Sequence, residues 1–325
     1  MMIIIYKMDR LFCECGEKAV YLDNNSGISY CKKCFLNYIY KKAVKTIKHY
    51  NMIEIGDKIL LAVSGGKDSI VLVDIMGKLA KKLQKIKLFA VTIDEGIEIE
   101  GGNYRNEAIE YARVITQKYS IPHKVVSYRE LFGGSLTEYV KANVYKGSAC
   151  SVCGVFRRRA INLIAEELGA NKIATGHNKD DEAQTILMNV LRGDLERILR
   201  LNNISEEFIP RIKPLRRISE REIAMYAYLK GYKFQINECP YSHDAIRDKV
   251  RDVLEQVSTQ INGVYDALLN FQDKLVNYIT IHQVTLNKCI YCGKPTSPKS
   301  KICKPCEYKL EFTKKINYIH SNESL

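Results

Sequence analysis

Eleven cysteines constrain this chain more than any other feature, because they fall into three sets and none is left over. Cys13, Cys15, Cys31 and Cys34 lie near one end, and Cys289, Cys292, Cys303 and Cys306 near the other. Cys150, Cys153 and Cys239 lie between them. The stretch "KCIYCGKPTSPKSKICKPC" is two C-x2-C pairs separated by a loop rich in Gly, Pro, Ser and Lys. Each pair turns two thiolates toward one point, and two pairs on a short loop close a tetrahedral four-sulfur site. So small a segment buries too little surface to fold unaided, and metal binding supplies the folding energy. The first set is less regular. "YCKKC" is a normal pair, but "FCECG" has one spacer residue where two are usual, so Cys13 has the tightest bite to accommodate. The expectation is one Zn2+ at each end of the chain.

The 325 residues, 46% hydrophobic and 27% charged, suffice for one sizeable α/β core with small appendages. No apolar run approaches the roughly 20 residues that span a bilayer. The opening "MMIIIYKMDRLF" is too short and poorly flanked for an export signal. A cytoplasmic chain without membrane contact is expected, and in that reducing compartment cysteines serve metals or catalysis more often than disulfides. The net charge of +13 suits a polyanionic partner such as RNA, and equally a solvated lysine surface. Lys32, Lys33, Lys41, Lys42, Lys45 and Lys48 accompany the first cysteine set, and Lys294, Lys299, Lys301 and Lys304 the last. With "RIKPLRR" over 211–217, these are the candidate contacts to a nucleic-acid backbone.

From residue 56 the pattern changes. "DKILLAVSGGKDSIVLVDIMGKLAKKL" reads as buried strand, glycine turn and helix. "KLFAVTID", "HKVVSY" and "NKIATGH" read as further strands, with helical patterns over 103–119, 136–146, 155–168 and 180–192. Alternating helices and continuously apolar strands predict a parallel sheet covered on both faces. Ligands of such sheets sit at the carboxyl ends of the strands, where "SGGKDS", "DEGI" and "TGHNKDDEA" fall. Ser64, Gly65 and Gly66 let a backbone approach phosphate oxygens, and the helix start at Asp68 offers free N–H groups. Lys67 supplies charge and Ser69 a hydroxyl, but the spacing of a Walker P-loop is absent.

"AVSGGKDS" resembles the PP-loop of the N-type ATP pyrophosphatases, which cleave ATP between its α and β phosphates and transfer AMP to a substrate oxygen, and "ATGHNKDDEAQT" resembles their second segment. The resemblance implies ATP and Mg2+ at Ala62, Val63, Ser64, Gly65, Gly66, Lys67, Asp68, Ser69, Ile93, Arg157, Gly176 and Asp181. "ACSVCGVFRRRAIN" and "NECPYSHDAIRDKVR", together with the paired zinc modules, resemble the tRNA 2-thiouridine synthetases, and "CGVFRR" the wobble-uridine thiolases within them. That likeness implies a [4Fe–4S] cluster on Cys150, Cys153 and Cys239. Three thiolates leave one iron without a protein ligand, where sulfide can bind. A cluster-free route, with a persulfide on one cysteine and a disulfide as its resolution, fits the same sequence, as does the T-loop uridine as target. Cys150, Cys239 and Asp68 are the candidate catalytic residues. Some relatives carry a lysine where Arg157 stands; a guanidinium does not act as a base, but it clamps phosphate. Sulfide or a ubiquitin-like thiocarboxylate carrier is the expected sulfur donor, and a homodimer the expected assembly. Two other classes compete: a non-catalytic zinc-ribbon RNA-binding protein and an amine-dependent PP-loop ligase.

The predicted organisation is an N-terminal zinc module and helix over 1–50, a PP-loop ATP pyrophosphatase domain over 51–255, a helical linker over 256–284 and a C-terminal zinc ribbon over 285–325.

Overall fold

The computed structural model of the chain describes residues 12–23, 26–100, 102–144, 148–199, 208–241, 246–279, 286–297 and 299–323. Most of "MMIIIYKMDRLF", the last residues of the expected helix over 136–146, Ser242 of "CPYS" and the end of the expected linker lie outside them.

A two-stranded hairpin, β1 (Tyr21–Leu22) and β2 (Ser29–Tyr30), leads into helix α1 (Lys32–His49). The chain then alternates: β3 (Lys58–Ala62), α2 (Lys67–Leu83), β4 (Lys87–Asp94), a small hairpin β5 (Glu98–Ile99) and β6 (Gly102–Asn103), α3 (Asn106–Lys118) and β7 (His123–Ser127). Two short helices follow, α4 (Tyr128–Phe132) and α5 (Leu136–Lys141), then α6 (Ala149–Glu167), β8 (Lys172–Ala174), α7 (Lys179–Leu191), α8 (Leu195–Leu199), β9 (Arg211–Ile212) and α9 (Glu220–Lys230).

The main sheet has five parallel strands in the order β7-β4-β3-β8-β9. Along β3, Ile59 and Leu61 enter a core built with α1, α2 and α9, while Leu60 enters a second core with Tyr128, Val152 and Phe156. Both faces are therefore apolar, which is why the strand reads as a continuous hydrophobic run. The chain winds outward from β3 through β4 to β7, then crosses to β8 on the other side. The switch point lies between β3 and β8, and a crevice opens there at the carboxyl ends.

The strand β9 was not expected from the sequence. It has two residues between Pro210 and Pro214, and edge strands tolerate the proline that a central strand excludes. The basic run that contains it also departs from expectation. Arg216 is buried, and it and Arg217 reach Asp273, while Arg217 also donates to Tyr50 Oη (2.9 Å) and Asn270 Oδ1 (2.8 Å). These two arginines clamp a helix to the domain and are not available to an RNA backbone.

That helix is α11 (Val264–Tyr278), which follows α10 (Ile246–Gln260) across Gly263 at φ +77°. Leu269 of α11 packs with Ala183 and Ile186 of α7. The segment read as a linker is thus helical and lies against the domain. A hairpin of β10 (Asn287–Lys288) and β11 (Pro295–Thr296) and the helix α12 (Lys304–Glu323) complete the chain.

Candidate active site

Four helices, α4, α5, α7 and α9, begin with a capping box in which Ser127, Ser135, Asn178 or Ser219 receives a backbone N–H. Helix α2 does not: its N-cap is Gly66, with no side-chain cap bond. Its first N–H groups are left for a ligand, and the positive end of its dipole favours an anion. The loop before it is tightly made. Ser64 N donates to Ser69 Oγ (3.2 Å), and Ser69 Oγ donates to Gly66 O (2.9 Å). Gly65 sits at φ +77°, and a Cβ there would lie 2.3 Å from Ala108 O, so both conformation and space require glycine. Ala62 closes β3, Val63 is buried beside it, and Ile93 is buried near the end of β4.

The "TGHNKDDE" segment meets this loop. A Cβ on Gly176 would stand 3.1 Å from the backbone of Asp68 and Ser69, so the two segments touch at main-chain distance. Asn178 Nδ2 donates to Asp68 Oδ1 (2.9 Å), and Lys67 lies 3.3 Å from Asp68 and 2.6 Å from Glu220. Asp181 caps α7 through Asn178 N (3.1 Å) and faces Arg247 at 3.4 Å. Burial raises the carboxyl pKa of both Asp68 and Asp181, and Asp181 and Glu220 add to the effect on Asp68. A cation near them would relieve that cost. His177 is exposed, with Nδ1 2.8 Å from Thr175 Oγ1.

Glu95 is the residue the sequence reading missed. Its carboxylate is 1% exposed and accepts from Arg105 Nε (2.6 Å) and Nη2 (2.9 Å), and from Arg157 Nη2 (2.7 Å). Burial opposes its charge, but the two guanidiniums hold its pKa below the usual carboxylate range. Arg105 Nη1 continues to Ser64 O (3.2 Å), and Arg157 Nη2 continues to Cys153 Sγ (3.3 Å). One buried carboxylate therefore ties the phosphate loop to a cysteine of the middle set. The acidic residue in "DEGI" was the available signal, but its partners come from other elements.

Cys150 and Cys153 lie in the first turns of α6, so the pair is a helical one and not a knuckle. Cys153 is buried, with its carbonyl accepting from Tyr128 Oη (2.8 Å). Cys239 arrives on an extended segment fixed to the phosphate loop: Gln235 N donates to Gly65 O (3.0 Å), and Tyr104 Oη donates to Asn237 O (2.9 Å). Cys150 Sγ donates to Tyr241 O (3.2 Å) just beyond it, and Cys239 packs in the same apolar cluster as Cys153. Burial, with Cys239 next, raises the Cys150 thiol. The Cys239 segment thus lies against the helix of Cys150 and Cys153 beside the loop. The three cysteines are not among the sets whose ligand atoms all lie within 4.8 Å of one another. Three thiols brought to one region are a donor set that a cluster accepts, each at its own corner.

The end sets do meet that distance: Cys13, Cys15, Cys31 and Cys34, and Cys289, Cys292, Cys303 and Cys306. The C-x-C pair closes because Gly16 takes φ +89° and donates to Cys13 O (2.8 Å). The backbone amides of Cys15 and Cys31 bring the Cys13 thiol down to about 6. At the other end burial opposes, but the amides of Cys303, Tyr291 and Cys292 bring Cys289 to about 6 as well. In each set one thiol is thus favoured as the thiolate, while Cys15, Cys34, Cys303 and Cys306 are shifted up among their neighbouring cysteines, and a metal would draw their protons off.

The PP-loop domain model matches residues 39–257. Cytoplasmic tRNA 2-thiolation protein 1 of Dictyostelium discoideum is 38% identical, over 87% of this chain and 78% of its own length. The tRNA 2-thiolation protein NcsA of Haloferax volcanii is 34% identical, over 90% of this chain and 96% of its own. This chain belongs to the PP-loop tRNA 2-thiolation family. Among solved structures, the U34-tRNA thiolase NcsA from Methanococcus maripaludis with its [4Fe–4S] cluster superposes on the PP-loop chain with a TM-score of 0.78 at 30% identity, covering 91% of this chain and 94% of that one. Among the described residues of the PP-loop protein, no helix is long and apolar enough to cross a membrane.

Proposed function

We propose that this protein is an ATP-dependent tRNA-uridine 2-sulfurtransferase that acts on the wobble uridine and releases AMP and pyrophosphate. The observation that carries the reading is the meeting of Cys150, Cys153 and Cys239 beside the phosphate loop, joined to it through Arg157, Glu95 and Arg105. The catalytic set is Cys150, Cys239 and Asp68, and the nucleotide set runs from Ala62 to Ser69 with Ile93, Arg157, Gly176 and Asp181.

ATP docks with its phosphates on the free N–H groups of α2. Asp68 and Asp181 would hold Mg2+, which would supply the charge that offsets two carboxylates that burial disfavours. The uridine C2 oxygen attacks the α phosphorus, the bond to the bridging oxygen breaks, and pyrophosphate leaves. The loop amides and Lys67 stabilise charge where it develops. Sulfide then attacks C2 and AMP leaves with the former oxygen. To reach the pocket the uridine is splayed from its stack.

Cys150, Cys153 and Cys239 would hold a [4Fe–4S] cluster, which supplies an iron free to bind sulfide when present. Arg157 orients this set, because its guanidinium is fixed by Glu95 and donates to Cys153 Sγ. The two four-cysteine modules each take one Zn2+. The cluster-bearing relative supports this route over the persulfide route. Sulfide or a thiocarboxylate carrier delivers the sulfur, the protein acts as a homodimer, and it works in the cytoplasm. The proposed boundaries are 1–50, 51–255, 256–284 and 285–325.

The test incubates anaerobically reconstituted protein with unmodified tRNA, ATP and sulfide, followed by nucleoside mass analysis. Thiouridine at the wobble position with stoichiometric AMP is the expected outcome, and its loss in Asp68→Ala links it to the loop. Absence of both products overturns the reading.

A further inference from the structure

Helix α6 carries two sets of functional side chains on opposite faces. Cys150, Cys153 and Arg157 recur at three and four residues and share the face described above. Val155, Arg158, Arg159 and Asn162 recur at three and four residues on the other face and line a cavity of about 740 Å³. Its remaining walls include the edge strand, from Phe208 to Lys213, and Pro295, Cys303 and Pro305 of the C-terminal ribbon. None of its lining residues belongs to the phosphate loop or to the middle cysteine set.

The charge of this cavity is unbalanced. Lys172 on its wall pairs with Asp57 and with Glu54, the carboxylate among the lining residues, and Lys213 and Arg216 pair with Glu182 and Asp273. Among the described residues Arg211 donates to neutral partners, Arg158 O (3.3 Å) and Asn162 Oδ1 (3.0 Å). Arg159 Nη2 donates to Cys292 Sγ (2.8 Å). Among the described residues no carboxylate pairs with Arg158 or Arg211. Burial first, and Arg158 second, push the Arg211 guanidinium down to about 10, as expected for two cations held together without a counter-ion. Adjacent guanidiniums facing open space offer forked donors that match phosphate oxygens.

We propose that this cavity binds the phosphodiester backbone of RNA, with Arg158 and Arg211 as its phosphate ligands. The proposal rests on the tRNA reading above, but concerns a site separate from the chemistry. It also assigns the three consecutive arginines: Arg157 serves the cysteine face, and Arg158 and Arg159 serve the cavity and its ribbon wall. An edge strand, one helix face and a metal-stabilised ribbon together form the groove, so the ribbon contributes to substrate binding as well as to fold.

The experiment measures tRNA affinity against salt for wild type, Arg158→Gln, Arg158→Gln/Arg211→Gln and the double lysine variant, with ATP binding and circular dichroism as controls. Each lost phosphate contact lowers the slope of log K against log salt by about 0.7–0.9. The double glutamine variant is expected to lose roughly tenfold in affinity and about 1.5 in slope, while the lysine variant keeps most of the slope. Arg158→Gln, at an exposed position, is expected to lose half as much and is read alone if Arg211→Gln impairs folding. A wild-type slope in the glutamine variants, with wild-type protein binding and thiolating tRNA, overturns this site alone. Wild-type protein that binds no tRNA overturns both this site and the reading it rests on.

Discussion

The two four-cysteine modules and the three-cysteine site use the same ligand in opposite ways. In each end module a glycine at positive φ, Gly16 or Gly293, follows the first pair and the second pair sits at a helix start; a short hairpin lies between the pairs at the N-terminal end and brackets the first pair at the other. Their four sulfurs crowd within 4.8 Å and leave no position for a substrate. The middle site spreads its thiols over a helix start and a distant extended segment and stops at three. A closed set would supply stability through its metal, and the proposed open set would leave a place for chemistry. The modules also differ in what they hold. The N-terminal one anchors α1 through Lys42 to Glu222 (2.7 Å). The C-terminal one stacks Phe312 on Tyr139 (4.2 Å) and pairs Lys294 with Glu166 (2.5 Å) on α6, the helix that bears Cys150 and Cys153.

The sharpest way to break the comparison is to remove one sulfur from each kind of site. Cys239→Ala is expected to lose iron and at least about a hundredfold of thiouridine formation, beyond the 10–100-fold typical of outer-shell changes, with zinc content and circular dichroism unchanged. Cys303→Ala is expected to release one zinc and melt the ribbon, since such sites contribute on the order of 10 kcal/mol in isolated fingers. Metal analysis and thermal unfolding of both variants read the outcome. Iron retained in Cys239→Ala would show that the middle set is not a ligand set.

Glu95→Gln sharpens the link between loop and cysteines. It leaves Arg105 buried without its carboxylate, a loss of about 3–5 kcal/mol, and frees Arg157 from its fixed orientation. Thiouridine formation is expected to fall more than tRNA binding does; equal losses would assign Glu95 a purely structural role.

The smallest effect on stability is expected at Asp68. Burial raises its pKa in the fold, so its charge destabilises the protein above that value, and the stability is recovered as pH falls toward the ordinary carboxylate range. Asp68→Asn is expected to raise the melting temperature slightly at neutral pH, to lose that gain in acid, and to abolish AMP formation. A lower melting temperature at neutral pH would contradict the direction.

Much of the site was legible because its parts are local. "SGGKDS" is a turn whose glycines and helix start act within six residues, and the end modules are spacings that close on themselves. Glu95, Arg105 and Gln235 were not legible, because each matters through partners on other elements, from 10 to 130 residues away. The strand β9 escaped because two residues beside prolines carry no periodic signal.

By itself the sequence determined the alternation of buried strands and amphipathic helices, the anion-binding turn and the two metal modules, since each rests on contacts between near neighbours. Only the tertiary structure decided that Cys239 meets Cys150 and Cys153, that α6 divides its arginines between two faces, and that "RIKPLRR" turns Arg216 and Arg217 inward to hold α11. Those outcomes depend on which surfaces bury together, and no spacing along the chain encodes that.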